Sequence, residues 1–131
     1  MIIYKRMAVV AGALSLAGVM TVAPMSSASA ATYTCHYDQG ANNYVYASYY
    51  FGTTIQPSSS GLSQAGIEAQ CVLKYRGYNP GTVDGVFGTN SQSAARKFQK
   101  RINALYHVGL DEDGKVGPQT WPYLRNLNYD Y

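Results

Sequence analysis

Hydrophobic and polar positions divide the chain into zones with different rhythms. Residues 7–22 are apolar or small throughout, with Lys5 and Arg6 before them and Ala28-Ser29-Ala30 after them. That order predicts a signal peptide over residues 1–30, cleaved so that the mature chain begins at Ala31. The apolar run is about 16 residues, short of the ~20 a membrane span needs, so no membrane association is expected after cleavage; an uncleaved anchor is the alternative. From Ala31 onward tyrosine dominates and charge is sparse. Tyr44-Val45-Tyr46-Ala47-Ser48-Tyr49-Tyr50-Phe51 has strong strand propensity, and Tyr44, Tyr46 and Tyr50 would share one face. Residues 31–59 therefore read as a tyrosine-rich extended arm, one short strand or a loose hairpin. Its tyrosines serve either as an aromatic platform for sugars or partners, or as cover for a small core. Pro57-Ser58-Ser59-Ser60-Gly61 closes it as a linker.

Beyond the linker the period changes to that of helices. Over residues 62–76, Ile67, Cys71 and Tyr75 recur every four residues, and Val72 and Leu73 widen the stripe. Gly66 is expected to weaken the first turn by roughly 1 kcal/mol relative to Ala. Gly77 suits the position after the helix, and Pro80 prevents continuation. A second helix spans residues 90–105, with Ala94, Ala95, Phe98, Ile102 and Leu105 on its apolar face and Arg96, Lys97, Lys100 and Arg101 turned away. A third runs over residues 121–127. Thr120 as its N-cap leaves Pro122 at the second helical position, where no hydrogen bond is lost. Trp121, with the largest apolar area in the chain, belongs in the core.

The loops before the second and third helices repeat. Asp84-Gly85-Val86-Phe87-Gly88-Thr89-Asn90-Ser91 is echoed by Asp113-Gly114-Lys115-Val116-Gly117-Pro118-Gln119-Thr120, an offset of 29 residues. In each, the aspartate can accept a nearby backbone N–H and the following glycine supplies positive φ. Thr89 and Gln92 have the spacing of a capping box. Two similar loop-to-helix corners around one core follow, giving a mainly α fold: a compact three-helix bundle with pseudo-repeat Asp-Gly turns.

Composition narrows the function. Removing 30 residues from 131 leaves 101, one domain. Without Lys5 and Arg6 there remain eight basic and seven acidic side chains, a net charge of +1, which argues against a nucleic-acid binder. The two cysteines, Cys35 and Cys71, form an even pair in an exported chain, most simply a disulfide. A catalytic Cys71 is the sharper alternative, though no histidine stands at a telling position beside it. His36 and His107 have no zinc-ligand spacing. Asp111-Glu112-Asp113-Gly114 fails as a calcium loop, since its first and twelfth positions would fall on Gly109 and Thr120. No serine lies in a nucleophile elbow and no carboxylate pair stands out. No metal, cofactor or catalytic residue is expected.

The order Gln70-x-x-Leu73, Gly77-Tyr78, Val83-Asp84-Gly85-x-Phe87-Gly88, Ser91, Ala94, Phe98-Gln99, then Asp113-Gly114-x-Val116-Gly117-Pro118-x-Thr120-Trp121-x-x-Leu124 resembles the peptidoglycan-binding domain family, a small three-helix module common in secreted bacterial cell-wall hydrolases. The likeness covers residues 60–127, so residues 60–131 are taken as the domain. Gly66 and Ala69 depart from the family's paired aliphatics, and Ser91 from its usual threonine. The resemblance implies a secreted, non-catalytic protein bound to peptidoglycan or its stem peptides, extracellular or wall-associated, with separate wall hydrolases as further partners and a monomer as the expected state. No appended catalytic domain is expected, since the last motif residue stands near the end of the sequence. Tyr78, Asn79, Asp84, Asn90 and Gln99 are the candidate ligand-binding residues, with Arg96 for a carboxylate. The competing reading makes Asp84 a turn organiser, and Gln70 and Gln99 buried braces of the loops. Two other classes stay open: a small wall hydrolase with unrecognised catalytic residues, and a structural or inhibitory protein acting through its tyrosine-rich arm.

Overall fold

The structure is a computed structural model that describes residues 31–129. The expected signal peptide therefore lies outside the described residues. The arm opens with β1 (Asp38–Gln39), passes a 3-10 turn at Ala41–Asn43, and returns as β2 (Val45–Tyr46). The pair is antiparallel, with Asp38 opposite Tyr46 and Gln39 opposite Val45. Helices α1 (Gln64–Tyr75), α2 (Thr89–Tyr106) and α3 (Trp121–Arg125) follow, the expected mainly helical bundle.

The strand expected over residues 44–51 shrinks to two residues. Ser48 adopts φ +70°, which ends the extended run and turns the chain toward α1. Tyr50 consequently leaves the face of Tyr44 and Tyr46 and packs on Trp121, ring centroids 5.4 Å apart.

Ser63 caps α1, its Oγ accepting from Gly66 N at 2.9 Å. Gly66 is not a weak point of that helix. A Cβ there would stand 2.1 Å from Gly85 O, so only glycine lets the first corner close against the helix. Gly77, at φ +91°, ends α1 as expected: its N–H reaches Lys74 O and that of Tyr78 reaches Leu73 O, a Schellman motif.

The capping box at Thr89 and Gln92 does not form. Gly88 is the N-cap, Thr89 is already helical, and Gln92 Nε2 donates to Phe87 O at 3.0 Å. Leu105 is 41% exposed, so the apolar face of α2 stops at Ile102. Helix α3 is shorter than expected because Leu127 N donates to Asn43 O, drawing the chain onto the arm. Thr120 holds the N-cap position without a side-chain cap bond; its hydroxyl is held by Gln99 instead.

The main core packs Val72, Leu73, Phe98, Ile102, Trp121 and Leu124 with Phe87 and Val116 from the loops. A second cluster joins Ala47 of the arm to Ile67, Cys71 and Val83, beside the disulfide Cys35–Cys71. Three buried charges fix the rest. Arg125 pairs with Glu68 at 2.7 Å, both side chains fully buried. Glu68 also accepts from the amides of Ala47, Tyr49 and Tyr50, while Arg125 donates to the carbonyls of Val45, Tyr50 and Gly52. A buried ion pair persists only when its remaining hydrogen-bonding capacity is met, and here the arm's backbone meets it. Arg76 gathers the carbonyls of Tyr123, Leu124, Asn126 and Tyr129 at the end of α3.

Candidate functional site

The repeated loops form two corners with the same hydrogen bonds. In the first, Gln70 Oε1 accepts from Gly85 N at 2.8 Å, and Gln70 Nε2 reaches Asp84 Oδ1, Val86 O and Ser91 Oγ at 3.1, 3.0 and 2.9 Å. In the second, Gln99 Oε1 accepts from Gly114 N at 2.8 Å, and Gln99 Nε2 reaches Asp113 Oδ1, Lys115 O and Thr120 Oγ1 at 3.2, 3.0 and 3.0 Å. Each aspartate also accepts from the amide two residues on, Val86 or Lys115. Buried side-chain amides thus replace the hydrogen bonds that the tight loops cannot make with themselves.

What differs between the corners is the rim. Around the first, three shallow depressions adjoin through shared residues. One, of about 140 Å³, lies among Thr82, Asp84, Thr89 and Asn90. The next, about 320 Å³, is lined by Asn79, Gly81, Asn90, Ser93, Ala94 and Lys97. A third, about 360 Å³, is lined by Lys74, Gly77, Tyr78 and Asn79. Asn79 Oδ1 accepts from Gly81 N, and the side chain of Asn90 makes no hydrogen bond to the described residues. The second corner has its own depression of about 160 Å³, lined at the 29-residue offset by Asp111, Asp113, Lys115, Pro118, Gln119 and Thr120, with Gln56 of the arm added; through Gln56 and Lys115 it adjoins another of about 310 Å³. There Gln119, the counterpart of Asn90, accepts from Asp111 N at 2.7 Å and bridges the rim.

Of the residues expected to bind, Tyr78, Asn79, Asp84 and Asn90 come together along this strip. Tyr78 is half-buried, its ring edge-on to Phe98 at 5.7 Å between centroids. Asp84 carries the turn with Oδ1, while Oδ2 takes no bond from the described residues. Gln99 does not belong to the set: it is fully buried and its amide is committed to the second corner. Arg96 is exposed but stands about 120° around α2 from Asn90. Lys97, seven residues after Asn90 and so on the same face, takes its place in the lining. That spacing was available in the sequence; the contribution of Lys74 was not, because it depends on how α1 ends beside α2. Among the described residues no cluster of His, Cys, Asp or Glu could hold a metal ion, and no helix is long and apolar enough to cross a membrane.

The sequence pattern of the peptidoglycan-binding domain family matches residues 64–124. Those residues form a domain of that family. The match takes in both corners and all three helices, and starts after the arm. Among curated relatives, a spore cortex-lytic enzyme of Bacillus cereus is 42% identical over 77 residues, 58% of this chain and 27% of the relative. A spore cortex-lytic enzyme of Oceanobacillus iheyensis is 35% identical over 98 residues, 74% of this chain and 32% of the relative. The chain therefore spans about a third or less of the length of these relatives. The crystal structure of a peptidoglycan-binding protein from Clostridioides difficile in complex with glutamine hydroxamate superposes with a TM-score of 0.50 at 27% identity, covering 66% of this chain and 60% of that one. In this peptidoglycan-binding domain, then, the repeated sequence motif braces two corners.

Proposed function

We propose that the protein is a secreted, non-catalytic wall-binding protein that holds a peptide segment of peptidoglycan in the strip beside the first corner. The observation that carries this reading is the difference between two otherwise equal corners. At the first, Asn79, Asp84 and Asn90 keep side-chain hydrogen-bonding groups that no described residue occupies. At the second, the counterpart of Asn90, Gln119, is instead engaged by Asp111 N, and Gln56 of the arm adds to the lining. Amides and a carboxylate in a shallow cleft match the amide backbone of a stem peptide, and the half-buried Tyr78 offers it an apolar edge. The C. difficile relative solved with an amino-acid derivative supports a ligand of this class.

Retention on insoluble sacculi, with loss of turbidity followed in parallel, tests the reading. Wild-type protein should sediment with sacculi and leave their turbidity unchanged. Asn79→Ala and Asn90→Ala should weaken retention with little change in melting temperature. The curated relatives are named lytic enzymes, which favours a second reading in which the protein itself cuts the wall. Clearing of the suspension by purified protein would establish that one and refute ours.

A further inference from the structure

The internal repeat serves as a control for charge as well as for shape. What both corners share is bracing; what only one carries is free to be chemistry. Two exposed lysines line the depressions beside the first corner. Lys74 stands in the last turn of α1 and lines the depression beside Tyr78. Lys97 stands on α2 and lines the depression beside Asn90. Asn79 belongs to both depressions, so the two lysines flank it from different helices. Arg101, four residues after Lys97, extends the same face by one turn and is exposed. Asp84 is the one acid lining this strip. At the offset of 29 residues Lys97 becomes Asn126, which lies beyond the end of α3. The second corner carries Asp111, Glu112 and Asp113 together with Lys115. The strip at the first corner therefore carries two lysines to one acid, and the second corner three acids to one lysine.

Resting on the reading of this strip as the peptide site, we propose that Lys74 and Lys97, on either side of Asn79, form a subsite for a free carboxylate of the stem peptide, with Arg101 adding to its field. The protein then prefers stem peptides that end in a free acid over amidated ones. Neutral amides at the Asp84–Asn90 end hold the peptide backbone, and the lysines select its terminus. A peptide carboxylate suits the subsite better than a phosphate polymer. The amide-lined depressions continue directly from it, and Lys97 lies two helical turns, about 10 Å, from Asn90, the reach of about three extended peptide residues.

The test uses the mature chain and a synthetic stem pentapeptide in two forms, free acid and C-terminal amide, titrated by calorimetry at one ionic strength. The free acid should bind about fivefold more tightly, the scale of exposed charge pairing. In Lys74→Gln/Lys97→Gln that preference should vanish, while the amide form keeps its affinity and the melting temperature changes little. Equal binding of both forms to wild type, still weakened by Asn90→Ala, would overturn the subsite and leave the strip intact. Binding of neither form would remove the strip reading itself. Displacement of the free acid by inorganic phosphate at matched ionic strength, with no effect on the amide form, would assign the lysines to phosphate and overturn the carboxylate.

Discussion

Replacing Glu68 by Gln changes one oxygen to an NH₂ group and little else in shape. Four donors converge on the carboxylate: Ala47 N and Arg125 Nη1 on Oε2, Tyr49 N and Tyr50 N on Oε1. Whichever way the amide is turned, its NH₂ faces two donors, so two hydrogen bonds are lost and Arg125 stays buried without a counter-charge. Breaking a buried ion pair from one side costs about 3–5 kcal/mol. That is a large share of the roughly 5–15 kcal/mol that holds a domain folded. At about 4–8 °C per kcal/mol for a chain of this size, the melting temperature should fall by roughly 12 °C or more. Denaturant unfolding followed by circular dichroism and by Trp121 fluorescence measures it, with the disulfide intact in both proteins. Trp121 is an apt reporter because its indole N–H donates to Ile55 O of the arm at 2.7 Å. A loss below about 1 kcal/mol would refute the reasoning, since the loop would then have found other partners for its amides.

Gly66→Ala should destabilise by several kcal/mol, against the ~1 kcal/mol gain that helix propensity alone assigns, because Gly85 O stands in the way of the new methyl; melting curves give the sign directly. Cys35→Ser/Cys71→Ser should cost about 3–4 kcal/mol by the loop-closure model, with intact mass confirming the bridge in wild type. Tyr37 should ionise above the ordinary tyrosine range, raised first by burial and then by the charges of Glu68 and Tyr75. Its folded form favours the neutral phenol, so the stability it contributes is present below the unfolded value near 10 and lost as pH rises through the raised one. Alkaline unfolding should therefore begin at lower pH for wild type than expected from Tyr37→Phe, a shift read by spectrophotometric titration of the two proteins.

The bundle was readable because its signals are local. Four-residue spacing gave α1 and α2, Gly77 and Pro80 gave the end of α1, and the echo at 29 residues gave both corners. The errors share a cause. Gly66 reads as a weak helix residue until Gly85 is seen against it, and Thr89 as a cap until Gly88 takes that place. Both outcomes are set by tertiary approach, which spacing does not encode. Gln99 was legible as either ligand or brace, and only burial separates the two. Arg125 and Glu68 gave no sign of meeting, being 57 residues apart in the sequence.

That pairing bears on where the protein can be cut. The family pattern begins at Gln64, which invites a shortened version starting near residue 60. Such a fragment keeps Glu68 and Arg125 but discards the three amides and three carbonyls that enclose them. It also bares one face of Trp121 and leaves Cys71 as a lone thiol. The portion recognisable by sequence is therefore expected to be shorter than the portion that folds unaided. Any trimmed version, crystallisation target or fusion partner should keep the arm from residue 32 onward.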